Sequence, residues 1–204
     1  YWYYFGPSGN MYVGQHTIDG KIYEFCSTGY AVTGWINRNG TWYYLNSDRT
    51  YAKGFVHIGD YTYYFNDKNQ MVTGWQYIDN HWYWFESWGG MRVRWLQLGN
   101  TWYWFENDGK MVTGWKAFDQ YWYYFGPSGN MYVGQCNVDG KDYKFCSTGY
   151  VVNSWIYKNG IWYYSNADRT YAKGFVHIGD YTYYFNDNNQ MLTGWQNIGN
   201  HRYW

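Results

Sequence analysis

Short stretches of alternating apolar and polar residues run along the whole chain, each punctuated by a turn dipeptide in the same phase. Trp35-Ile36-Asn37-Arg38 alternates with a period of two, which puts successive side chains on opposite faces of a strand. Asn39-Gly40 follows, a pair suited to a two-residue hairpin turn because both residues tolerate positive φ. Thr41-Trp42-Tyr43-Tyr44-Leu45 then predicts the return strand, with Trp42 and Tyr44 on one face and Tyr43 on the other. Asn46 to Lys53 reads as a polar connection to Gly54-Phe55. Equivalent turns fall at Asp19-Gly20, Gly59-Asp60, Asp79-Asn80, Gly99-Asn100, Asp139-Gly140, Asn159-Gly160, Gly179-Asp180 and Gly199-Asn200; only Asp119-Gln120 lacks a Gly or Asn.

The unit returns every 20 residues without a slip. The slot filled by Gly34-Trp35 reads Gly14-Gln15, Gly54-Phe55, Gly74-Trp75, Arg94-Trp95, Gly114-Trp115, Gly134-Gln135, Ser154-Trp155, Gly174-Phe175 and Gly194-Trp195 elsewhere. A lone two-stranded hairpin is marginal in water, so a fixed short period implies units that bury their apolar faces on their neighbours. The recurring Met71, Met91, Met111, Met131 and Met191 are placed to add to that burial. The expected fold is all-β, a β-solenoid of about ten stacked 20-residue hairpins with a superhelical course.

A longer repeat lies on top. Residues 1–15 are identical to 121–135, and 49–67 to 169–187, so a six-unit block is duplicated and 1–84 matches 121–204. Residues 1–204 are expected to form a single array with no domain boundary and no flexible linker. Because residue 1 falls inside a repeat, the chain reads as a fragment of a longer protein, with any signal peptide or catalytic domain outside it.

Aromatic residues make up 27% of the chain while Leu and Ile are scarce, so Trp and Tyr are expected to supply the burial. Fifteen acidic and fifteen basic residues cancel, which excludes the basic stripe of a nucleic-acid binder. Charges such as Asp48, Arg49, Asp67 and Lys68 lie in loop-like stretches and read as solvated. No run of about 18 apolar residues predicts a membrane span. Cys26 and Cys146 occupy one slot 120 residues apart and Cys136 replaces His16; this odd set predicts free thiols in packed positions rather than a disulfide framework.

The residues that repeat are rings, not titratable groups. Walls of indole and phenol suit two ligands: a quaternary ammonium drawn to the ring faces, or a sugar stacked on one ring with polar groups nearby for its hydroxyls. The pattern Gly-Trp, seven residues to Trp, then Tyr-Tyr-Leu/Phe, Gly-x-Met and the next Thr-Gly-Trp resembles the cell-wall-binding repeats of Gram-positive surface proteins over essentially the whole chain. That family includes the choline-binding modules of autolysins and phage lysins and the glucan-binding repeats of glucansucrases. The resemblance implies a cage built from the Trp of Gly-Trp, the Trp opening the aromatic triplet and an aromatic of the next hairpin, often with a Met. Carried over by position, the intact pairs are Trp35 with Trp42, Trp75 with Trp82, Trp95 with Trp102, Trp115 with Trp122, and Trp155 with Trp162. The other five junctions depart from it: Gln15 with Ile22, Gln135 with Asp142, Phe55 with Thr62, Phe175 with Thr182, and Trp195 with Arg202, which puts a cation where a ring should be. The Gln slots look more like the glucan-binding relatives.

An aromatic at a repeated position is most often packing, but a 20-residue hairpin needs fewer than two Trp and two Tyr merely to stack. His16, His57, His81, His177 and His201 have no second ligand at metal spacing. Asp60 with Asp67 could be drawn as a glycosidase dyad, yet both sit in repeated turns with no pocket implied. The Asn- and Asp-bearing loops lack the dense acidic spacing of calcium sites. The expected function is thus attachment, not catalysis, with no cofactor or metal: choline on teichoic acid held at many weak sites, with an α-glucan or other polysaccharide as the alternative ligand and a structural spacer as the third reading. A secreted or cell-surface location and compatibility with a homodimer follow from the same resemblance.

Overall fold

Antiparallel hairpins form wherever the turn dipeptides place them. The structure, a computed structural model, describes residues 1–119 and 121–204; Gln120, half of the one turn lacking Gly or Asn, lies outside the described residues. β1 (Gly14–Ile18) pairs with β2 (Lys21–Phe25), β3 (Gly34–Arg38) with β4 (Thr41–Leu45), β5 (Gly54–Ile58) with β6 (Tyr61–Phe65), and β7 (Gly74–Ile78) with β8 (His81–Phe85). The same pairing joins β9 (Arg94–Leu98) to β10 (Thr101–Phe105), β11 (Gly114–Phe118) to β12 (Tyr121–Phe125), and β13 (Gly134–Val138) to β14 (Lys141–Phe145). β15 (Val151–Val152) adds a third strand beside β14. β16 (Ser154–Lys158) with β17 (Ile161–Ser165), β18 (Gly174–Ile178) with β19 (Tyr181–Phe185), and β20 (Gln196–Ile198) with β21 (His201–Tyr203) complete the series. The fold is an all-β repeat solenoid.

The turn chemistry follows the dipeptide. Where Asp19, Asn39, Asp79, Asp139 or Asn159 leads, φ is +48 to +52 there and also positive at the next residue, the pattern of a type I′ turn. Where Gly59, Gly99, Gly179 or Gly199 leads, φ is +58 to +61 at the glycine alone, the pattern of type II′. Both turns match the right-handed strand twist and leave two residues between the last pairs, as in Arg38↔Thr41.

Two compact units result: residues 1–94 with 105–111, and residues 95–104 with 112–204. A ladder of dry residues runs through each, Phe25, Leu45, Phe65, Phe85 and Phe105 in the first and Phe125, Phe145, Ser165 and Phe185 in the second, all 0–4% exposed. Each ends a return strand, and Leu45, for example, pairs with the slot glycine Gly34. Tyr63, Tyr83 and Tyr143 are buried beside the ladder at 5–8% exposure, so the expected aromatic burial is shared between Phe and Tyr rather than supplied by Trp and Tyr alone. Phe and Leu, which carry no polar atom to satisfy, fill all but one place in the ladder, while the indoles pack around it with the Nε1 atoms of Trp84 and Trp104 buried and unbonded. Ser165, the polar member, donates to the Ser154 carbonyl at 3.3 Å.

Main-chain bonds tie one hairpin to the next. Met71 N–H donates to Trp42 C=O at 2.8 Å and Met91 N–H to Thr62 C=O at 2.7 Å in the first unit; Met131 reaches Trp102 and Met191 reaches Trp162, both at 2.8 Å, in the second. The loops between hairpins close with bonds such as Gly89 N–H to Glu86 C=O and Arg169 N–H to Asn166 C=O. The donor in each loop is left-handed: Gly9, Gly29, Arg49, Asn69, Gly89, Gly109, Gly129, Gly149, Arg169 and Asn189.

This column is coupled to the residue 18 positions earlier. A Cβ on Gly29, Gly89, Gly109 or Gly149 would lie 2.2–2.3 Å from the sulfur of Met11, Met71, Met91 or Met131, so any other residue would have to displace that methionine as well as hold a left-handed backbone. Where Ala31 and Val151 replace the methionine, the column holds Arg49 and Arg169. Where Tyr51 and Tyr171 do, it holds Asn69 and Asn189, whose side-chain amides donate to Ala52 C=O and Ala172 C=O at 3.0 Å.

Candidate aromatic cages

Four of the five expected Trp pairs share one geometry. Ring centroids are 6.1 Å apart at 88° for Trp35–Trp42, 6.0 Å at 87° for Trp75–Trp82, 6.0 Å at 90° for Trp95–Trp102 and 6.0 Å at 88° for Trp155–Trp162. The hairpin register causes it. Trp35 lies directly across from Tyr44, which puts Trp42 on the diagonal of the same face, within reach of a large ring.

A phenol from the following hairpin forms the third wall. Tyr63 lies 4.8 Å from Trp35, Tyr183 4.8 Å from Trp155 and Tyr123 5.6 Å from Trp95. The methionine whose amide bonds the second Trp closes the fourth side. Trp155, Trp162, Tyr183 and Met191 line a cavity of about 320 Å³, and so do Trp95, Trp102, Tyr123 and Met131 together with Ser147 and Thr148. At Trp75–Trp82, Phe105 stands 5.8 Å from Trp75 and Met111 N–H bonds Trp82 C=O.

The opening rings are left in solvent: Trp42 is 42% exposed, Trp82 44%, Trp102 37% and Trp162 41%. Burial pushes the phenols of Tyr63 and Tyr123 above their ordinary range, so both face the cage as neutral rings at neutral pH. No charged side chain lines the Trp155 cavity. Its attraction for a cation would come through ring faces alone.

The fifth pair differs. The Arg169 guanidinium lies 3.6 Å from the Trp122 ring centre and 5.0 Å from that of Trp115, and Trp122 is less exposed than its four counterparts. Tyr143 stands 5.0 Å from Trp115 and donates its hydroxyl to Arg169 C=O at 3.1 Å. In the duplicated block Arg49 sits 5.2 Å over Trp2, with its Nε buried and unbonded like that of Arg169. Arg49, read from the sequence as a solvated charge, is therefore half-buried against a ring. The sequence did carry a signal: in the left-handed column every other residue is Gly or Asn.

The junctions without a Trp pair are built differently. Phe55 meets Tyr83 at 5.1 Å and Phe175 meets Tyr203 at 4.9 Å, but Thr62 and Thr182 stand in place of the second indole. Arg202 lies 4.6 Å over Trp195. Gln15 donates to the Tyr51 hydroxyl at 3.4 Å. That hydroxyl also accepts from Arg38 at 2.9 Å and donates to Glu24, which pairs in turn with Arg38. Among the described residues no three His, Cys, Asp or Glu converge as metal ligands, and the three cysteines are free and partly buried.

A family model described as a choline-binding repeat matches residues 52–94 and 95–136, and one described as a cell wall binding repeat matches 33–48, 153–168 and 173–188; together they span more than half of the chain. Among solved structures, the chain is similar to choline binding protein F of Streptococcus pneumoniae, at 27% identity over 99% of this chain and 87% of that one with a TM-score of 0.55. The same protein in complex with ipratropium aligns at 26% identity over 94% and 76%, with a TM-score of 0.69. The choline-binding domain of CbpL from the same organism aligns at 27% identity over 79% and 87%, with a TM-score of 0.58. No curated protein sequence gives a significant match.

Proposed function

We propose, on the premise that this chain belongs to the choline-binding type of cell-wall-binding repeats, that it is an attachment module whose Trp-Trp-Tyr-Met cages hold choline groups displayed along a cell-wall polymer. One observation carries the choice of ligand. Two indoles, a phenol and a thioether line the Trp155 cavity and turn an almost wholly apolar surface to it; the matching Trp95 cavity adds only the hydroxyls of Ser147 and Thr148. A trimethylammonium group asks for nothing else: it makes no hydrogen bonds and gains from each ring face. A sugar in the same space would stack on one indole and leave its hydroxyls unpaired, which is costly when they are desolvated.

Each cage is small and open, so a single choline binds weakly. Several cages fixed on one scaffold and meeting one polymer convert weak contacts into firm attachment. The polymer this reading supposes is teichoic acid decorated with choline, and the location it supposes is the surface of a Gram-positive cell. The experiment is a titration of intrinsic Trp fluorescence with choline, run beside dextran and soluble starch. A saturable response to choline alone supports the reading. A response to glucan alone transfers the sites to sugar stacking, and silence with all three favours the spacer.

A further inference from the structure

We infer that Arg169 is a built-in occupant of the Trp115–Trp122 cage, and that the residue in its left-handed loop column decides which junctions stay open to a cationic ligand. The inference rests on the choline reading of the other cages and goes beyond it, because it closes a junction whose rings are all present. Trp115, Trp122 and Tyr143 reproduce the three ring walls found elsewhere, with Tyr143 at 5.0 Å from Trp115. The space they frame is taken by a guanidinium 3.6 Å from the Trp122 ring centre. Its Nε is buried without a hydrogen bond, and although the neighbouring Asp168 feels its charge, the groups its guanidinium lies against are the indole faces.

Two substitutions build the plug. The open Trp35 and Trp95 cages have a methionine at the fourth wall, Met71 and Met131, and a glycine 18 residues on, Gly89 and Gly149, where a Cβ would push the methionine sulfur out of its place. At the closed junction the methionine is Val151 and the glycine is Arg169. The smaller Val151 vacates the fourth wall, and a side chain with a cationic head reaches in from the loop. The duplicated block carries the same combination, Ala31 with Arg49, and Arg49 again lies on the matching indole, Trp2. An arginine at φ +74 is unfavourable, and the duplicated block keeps the same strained residue on the matching indole, Arg49 at φ +68 over Trp2.

The test restores the open combination. Choline bound per chain would be counted by equilibrium dialysis for the unaltered chain and for Arg169→Gly with Val151→Met, with circular dichroism as the check on folding. The double variant is expected to bind one more choline per chain. Equal counts in two folded proteins overturn the inference while leaving the choline reading intact; no binding by the unaltered chain overturns the choline reading itself. A second measurement needs no variant. The Arg169 Nε–H resonance of the unaltered chain is expected upfield, shifted by the ring currents of Trp115 and Trp122, and unmoved at saturating choline while other indole signals shift. Release of that resonance to an ordinary position on adding choline would show that ligand displaces the guanidinium, and would overturn the assignment.

Discussion

The backbone N–H of Met71 donates to the carbonyl oxygen of Trp42 at 2.8 Å. One bond thus joins the fourth wall of a cage to its second wall, across two hairpins. The cage is positioned by main chain, while the indole that a ligand would touch contributes little to the dry ladder beneath.

Trp42→Ala should therefore abolish one choline site and leave the fold. Trp42 is 42% exposed, so its truncation gives up the burial of somewhat more than half an indole and should cost about 2–4 kcal/mol, spread over an array whose ladder is untouched. Equilibrium dialysis would show one choline fewer per chain with unchanged circular dichroism. Unfolding on this substitution would make Trp42 a packing residue.

Phe85→Ala should do the reverse. Its ring is 0% exposed in the ladder, and emptying such a site costs about 3–5 kcal/mol. Urea denaturation should show the loss, with the Trp35–Trp42 site saturating normally wherever the protein remains folded.

Hairpins, turn types and Trp pairs were legible in the sequence because each depends on neighbours in one repeat. Asn39-Gly40 dictates its own turn, and the register it sets brings Trp42 diagonal to Trp35. The Phe65 and Phe85 ladder was not legible, because an aromatic triplet does not disclose which ring turns inward until hairpins are stacked. Arg169 was missed for a related reason. Its ring partner Trp122 is 47 residues away, and a lone loop arginine looks solvated until the indoles are placed around it.

Backbone conformation sets the third prediction. Gly54 holds φ +72 with nothing within 4 Å of a built Cβ, so Gly54→Ala meets no clash and should still cost about 1–2 kcal/mol for the left-handed backbone alone. Arg94 holds the same slot at φ +65. Arg94→Gly should stabilise the fold by less than that, because glycine also widens the unfolded ensemble by about 0.4–1 kcal/mol. Thermal midpoints of the two variants should move in opposite directions.

Alkaline pH should weaken the second unit through Tyr171. Burial pushes this phenol from 10.0 up to about 12, and its hydroxyl donates to Asp142 C=O. The folded state holds the proton more tightly than the unfolded chain does. Its contribution to stability is thus complete below pH 10.0 and is lost as pH rises toward about 12. Thermal midpoints measured across that window should fall, and Tyr171→Phe should flatten the decline.

The coupling of each loop residue to the side chain 18 positions before it fixes where the protein can be cut and rejoined. The pair Met71–Gly89 is followed at once by Met91–Gly109, so the contacts tile the chain end to end with a single residue, Gly90, between them. A graft whose seam falls at Gly90 keeps both pairs whole. A seam at the Gly74-Trp75 slot, where the repeat is most visible to the eye, can join a methionine from one parent to an arginine from another and bring two side chains into one space. Chimaeras spliced at the inconspicuous position should fold, and those spliced at the conspicuous one should fold only when both parents carry the same pair.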